Sequence, residues 1–91
     1  MREVRGYRVT GMVQGVGFRW WTTREAARLG VFGSVRNHED GSVVVVAAAS
    51  GEVLDEFEET LGRGPALAMV ARVDRFTPAF PPEGGAFVVE R

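Results

Sequence analysis

Cysteine is absent from the 91 residues, which removes disulfides, thiolate metal sites and thiol nucleophiles together. Lysine is absent as well, all eleven basic residues being arginine. A Walker-type phosphate loop is thereby excluded, because it needs its lysine. The arginine-only composition reads as a G+C-rich coding bias, since the usual thermophile signal is enrichment in Lys and Glu. No apolar run approaches the roughly 18 residues that cross a bilayer, and Met1 to Arg5 lacks the apolar core of a signal peptide. These absences lead us to expect a cytoplasmic protein with no membrane partner. A basic patch is missing too: the net charge is −1 and the arginines are scattered, so no nucleic-acid partner is expected.

What remains is a chain of one-domain size, residues 1–91, whose 45% apolar content suffices for a single core. Val4 to Val13 alternates, with Tyr7, Val9 and Val13 opposite Arg8, Thr10 and Met12, and reads as a half-buried strand. Arg19 to Leu29 reads as a helix, with Phe18, Trp21, Thr22, Ala26 and Leu29 on its inner face and Gly30 as its stop. Val31 to Asn37 is a strand. Asp40-Gly41 signals a tight hairpin turn into Val43 to Ala49, a run apolar on both faces, as expected of a strand in the middle of a sheet. Ser50 can cap a helix from Gly51 to Leu61, which sets Leu54, Phe57 and Leu61 against an acidic, solvated face. Ala71 to Phe76 is a further strand, with Ala66 to Val70 open between loop and extension. A Pro/Gly-punctuated loop then leads to a closing edge strand at Ala86 to Glu90. The order predicts an α+β, ferredoxin-like sandwich (βαββαβ): an antiparallel sheet with two helices on one face and a short extra C-terminal strand.

The chemistry concentrates in Gly11-Met12-Val13-Gln14-Gly15-Val16-Gly17-Phe18-Arg19. Glycines at 15 and 17 permit positive φ, so that consecutive N–H groups from Gln14, Gly15, Val16, Gly17, Phe18 and Arg19 can converge on one phosphate. A helix opening near Arg19 aims its free N–H groups and positive dipole end at the same point. Arg19 adds a bidentate fork. A mere connecting turn would need one glycine, not two in alternation before an arginine.

Gly11-x-Val13-Gln14-Gly15-Val16-Gly17-Phe18-Arg19, followed by Val35-Arg36-Asn37-x-x-Asp40-Gly41-Ser42-Val43, resembles the two signatures of the acylphosphatases. The tail from Gly64-Pro65 through Arg72-Val73-Asp74-Arg75 is also similar. The resemblance implies a ferredoxin-like sandwich that hydrolyses carboxyl-phosphate anhydrides, with Arg19 and Asn37 at the catalytic positions and no metal or organic cofactor. It implies a small-molecule acyl phosphate as the partner, and we expect a monomer. Ser34, His38 and Val44 depart from the family's usual Trp, Thr and polar residue, which bears on substrate preference and rate rather than on reaction class.

The rest follows from what the loop lacks. The position six before Arg19 is Val13, so the Cys-x5-Arg phosphocysteine route is closed and water attacks directly. A carboxylate leaving group, with a pKa of about 4 to 5, departs without a general acid. Asn37 alone would be read as a strand-end turn residue; paired with the loop, it becomes the group that orients the water. His38 reads as an exposed turn residue, Glu39 and Asp40 as hairpin chemistry rather than a metal site, and Trp20 and Trp21 as helix packing, with Trp20 at the mouth. Two alternatives share the architecture: an RNA-binding module, to whose Gly-x-Gly-Phe core residues 14–18 bear a faint likeness, and a non-catalytic binder of phosphate or carbamoyl phosphate.

Overall fold

The computed structural model describes residues 1–91. Its elements are β1 (Arg2–Met12), α1 (Phe18–Leu29), β2 (Phe32–Asn37), β3 (Val43–Ser50), α2 (Gly51–Arg63), β4 (Met69–Phe76) and β5 (Phe87–Glu90). The sheet order is β4-β1-β3-β2-β5. Odd-numbered residues of the central strands face the helices. Tyr7, Val9, Val35, Val43, Val45, Ala47 and Ala49 meet Phe18 and Ala26 of α1 and Leu54, Phe57 and Leu61 of α2 in one buried cluster. The helices form where the pattern requires them. Phe18, Thr22 and Ala26 recur every four residues on the buried stripe of α1, and Gly30 ends that helix in a left-handed conformation (φ 74°). Ser50 caps α2, its hydroxyl accepting from the Val53 N–H at 3.3 Å.

Two expectations are refined. β4 begins at Met69 rather than at Ala71, because a register shift between Thr10 and Gly11 lets Met12 and Gly11 pair with Met69 and Val70. The sheet is also not wholly antiparallel. β5 pairs with β2 in parallel, through Gly33–Phe87 to Arg36–Glu90. The reason lies in the route: β4 occupies one edge and β5 the other, so residues 77–86 must cross the whole sheet. Four strand spacings are about 19 Å, well within the ~33 Å that ten extended residues can reach.

The crossing runs over the face that carries no helix, where Phe76, Pro78, Phe80 and Pro82 share a groove with Val44 and Val46. This explains why β3 is apolar on both sides. Val44 and Ala48 point away from the helices, yet they are only 5% and 1% exposed. No helix is long and apolar enough to cross a membrane.

Phe57 knits the layers, its ring edge-on to Tyr7 at 6.3 Å and to Phe87 of β5 at 6.0 Å. Truncation there removes contacts to β1 and to β5 at a site that is fully buried. Phe57→Ala is expected to lower unfolding free energy by about 3–5 kcal/mol, read from urea denaturation. Leu67→Ala, at an exposed residue, should stay within about 0.5 kcal/mol of the parent.

Candidate active site

The β1–α1 turn is a short bridge between two buried anchors. Val13 is 1% exposed and Phe18 is 2% exposed, so the core fixes both ends of the segment. Between them Gly15 and Gly17 take φ of 75° and 78°. A Cβ at either position would meet nothing within 4 Å. The requirement for glycine is therefore conformational, worth about 1–2 kcal/mol at each left-handed position. The side chains of the turn largely point elsewhere. Phe18 stacks edge-on to Trp21 in the core (centroids 5.3 Å apart), Val16 packs against the core, and Gln14 reaches to the β2–β3 turn.

What the turn leaves free is backbone. None of the N–H groups of residues 15–20 has an acceptor within the protein, the first one paired being Trp21 N–H to the Gly17 carbonyl at 3.0 Å. α1 has no side-chain cap and no acidic residue in its first turn. α2 has both, in Ser50 and Glu52. Arg19 is equally uncommitted. Arg5, Arg8, Arg28, Arg72 and Arg75 each pair with a carboxylate, whereas half-buried Arg19 has no ion pair or hydrogen bond, and so its guanidinium fork is available to a ligand.

Asn37 ends β2 opposite Val43. It shares a pocket of about 780 Å³ with Val13, Gly15, Gly17, Phe18, Arg19, Trp20, Val89 and Arg91. The two motifs thus meet at one wall, and the Asn37 carboxamide makes no hydrogen bond to protein. The wall carries no carboxylate side chain and no imidazole. Trp20, 63% exposed, stands at the rim with the Arg24 guanidinium 4.7 Å from its ring centre. Gln14 and Val16 do not line the pocket with their neighbours. Val89 and Arg91 do, and the sequence reading missed them. The parallel pairing of β5 with β2 carries the end of β5 toward Asn37, since Arg36 already pairs with Glu90; nothing local in the sequence announces that direction.

The β2–β3 turn is tied internally. Asp40 Oδ1 accepts from the Ser42 N–H at 2.9 Å and from the Ser42 hydroxyl at 2.6 Å, and its other oxygen takes the Arg8 guanidinium at 2.7 Å. His38 Nδ1 lies 3.1 Å from Asp40 Oδ1 and does not line the pocket. Asp40 therefore serves the hairpin, and no group of three His, Cys, Asp or Glu side chains is arranged around a common point.

The fold is a ferredoxin-like α+β sandwich, and the unpaired amides, free arginine and free carboxamide around one pocket are groups that can receive an oxyanion. The acylphosphatase family profile matches residues 5–85. The chain is 52% identical over 67 residues to an acylphosphatase of Rhizobium etli, covering 74% of this chain and 71% of that one. It is 50% identical over 74 residues to an acylphosphatase of Xanthomonas euvesicatoria, with 81% and 84% covered. Among solved structures it is similar to the acylphosphatase of Bacillus subtilis, with a TM-score of 0.90, 27% identity and 100% of both chains covered. The chain belongs to the acylphosphatase family.

The Ser42 hydroxyl, then the Ser42 N–H, hold the Asp40 carboxyl down to about 2. A lowered carboxyl contributes stability that is present above its ordinary value near 4 and is lost as pH falls toward about 2. Thermal unfolding followed between pH 7 and pH 2 should show Asp40→Asn melting below the parent at pH 7 and converging on it at the acid end. Parallel pH profiles would assign the turn's rigidity to other groups.

Proposed function

We propose that this chain hydrolyses acyl phosphates to a carboxylate and inorganic phosphate by direct attack of water on phosphorus. The observation that carries the reading is the contrast between the two helices: α2 is capped from within, while α1 leaves its first-turn amides unpaired beside a free Arg19. A phosphoryl group supplies what the chain withholds.

In this reading the amides between Gln14 and Arg19 and the Arg19 guanidinium bind the non-bridging oxygens and stabilise their charge as the P–O bond to the acyl oxygen lengthens. The Asn37 carboxamide orients water in line with that bond. The electron pair of the breaking bond leaves on the carboxylate, which is weakly basic and needs no proton from the enzyme. The water proton passes to a phosphoryl oxygen. A wall without a carboxylate side chain or an imidazole suits that division of labour, because it offers no side-chain general acid and the reaction needs none. The same reading has the enzyme working as a cytoplasmic monomer on a small-molecule substrate, without metal, organic cofactor, nucleic acid or membrane.

Benzoyl phosphate hydrolysis by the purified protein tests the reaction. Activity should persist in excess chelator, and its abolition there would remove the metal-free route. Arg19→Ala is expected to raise KM and to lower kcat by about 10²–10³. Asn37→Ala should lower kcat by a comparable factor while the inhibition constant of inorganic phosphate changes little. Equal losses of phosphate affinity in both variants would contradict the two roles.

A further inference from the structure

The two halves of the pocket come from segments far apart in the chain, and one side chain joins them. Gln14 Nε2 donates to the His38 carbonyl at 2.7 Å and to the Ser42 carbonyl at 2.9 Å. Those carbonyls also close the hairpin turn itself, accepting from Gly41 N–H at 3.1 Å and His38 N–H at 2.9 Å. One primary amide thus spends both of its N–H donors on the two ends of the turn that follows Asn37. Its backbone belongs to the phosphate turn, one residue after buried Val13 and one before left-handed Gly15.

We infer that Gln14 is a positioning residue: its side chain fixes the distance between the phosphate turn and Asn37, and so sets the line along which water meets phosphorus. The inference rests on the reading that the turn holds phosphate and that Asn37 orients water. The chemistry singles out glutamine. Aspartate and glutamate would set a carboxylate against two carbonyl oxygens, serine has one donor and too short a reach, and an aliphatic side chain leaves the turn untied. The grip on phosphate does not pass through this amide, because the Gln14 side chain points away from the pocket toward the hairpin. Loosening it should therefore damage turnover and spare binding. In-line attack is sensitive to such loosening, since a displacement of about 1 Å costs on the order of 10² in rate.

Two variants test this, with wild type run in parallel. Gln14→Met keeps length and volume but removes both donors; kcat for benzoyl phosphate should fall about 10- to 100-fold, with the inhibition constant of inorganic phosphate within about two-fold of wild type. Gln14→Glu adds a pH-dependent readout. Its carboxylate repels both carbonyls at neutral pH, whereas the protonated form donates one hydrogen bond and restores part of the tie. Its kcat should lie below that of Gln14→Met at pH 8 and rise above it by several-fold as pH falls to about 5. His38, Asp40 and Arg8 face the same turn and are present in all three proteins, so the comparison varies only the side chain at position 14. Unchanged kcat with weakened phosphate binding would make Gln14 part of the grip and overturn the inference. Equal loss in both variants at every pH, tracking a lowered melting temperature, would overturn it in favour of a purely structural role. Failure of wild type to hydrolyse any acyl phosphate would instead remove the reaction on which the inference stands, a result separate from either variant's.

Discussion

The structure depends on how the core pins the segment between β1 and α1. Val13 and Phe18 are both buried, and the residues between them must turn a strand into a helix without following either. Left-handed glycines make the turn possible, and the first-turn amides of α1 are left without acceptors. A side-chain cap is worth about 1 kcal/mol to a helix, and α2 takes that stabilisation from Ser50. That α1 forgoes it, with no acidic residue nearby to complement the dipole, is a local weakness in the free protein. It is also a place where an arriving anion would displace no protein contact. The core anchors the two ends of the turn, which lets its backbone stay open.

The second half of the site is built on the same strand. Arg8, in the middle of β1, reaches Asp40 and the Ser42 hydroxyl in the β2–β3 turn, while Gln14, just past the end of β1, holds the two ends of that turn by its carbonyls. β1 therefore organises both segments: it delivers the glycine turn from its C-terminal end and restrains the hairpin that follows Asn37. Neither segment needs to be rigid on its own, because each is tied to a strand paired on both sides.

How much of this was legible follows from the range of each interaction. The left-handed glycines, the Ser50 cap, the Gly30 stop and the Asp-Gly turn are local, and the sequence announces each through a residue with few other reasons to be there. Arg19 and Asn37 could be named because two separated motifs resemble the signatures of one family, and the fold does bring them to one pocket. The direction of β5 was not legible. A strand at the far edge looks the same in sequence whether the chain doubles back or crosses the sheet to reach it, and the crossing brings Val89 and Arg91 into the pocket. The apolar outer face of β3 was correctly read as central, but its cover is a Pro-rich crossing segment rather than a second layer. The bonds of Gln14 were hidden for the same reason, since its partners are main-chain carbonyls that any residue would supply.

Charge completes the account. The protein as a whole is nearly neutral, at −1, so it has no long-range field with which to draw in an anionic substrate. The distribution is uneven, however: the acidic residues crowd α2 between Glu52 and Glu59, on the side of the molecule that the arginine pairs occupy. Arg5 and Arg75 are spent on Asp55 and Glu58 there, and Arg8 is spent on Asp40. Neutralising those arginines in place leaves the pocket, with Arg19 and Arg91 and no carboxylate side chain, as a short-range positive region inside a balanced surface. At physiological ionic strength, exposed charges are screened beyond about 8 Å, and a pocket of this kind acts only on an anion that has already arrived. Under the proposed function, selectivity for phosphoryl groups would therefore rest on the geometry of the turn and its amides, with the guanidinium strengthening a fit that the backbone defines.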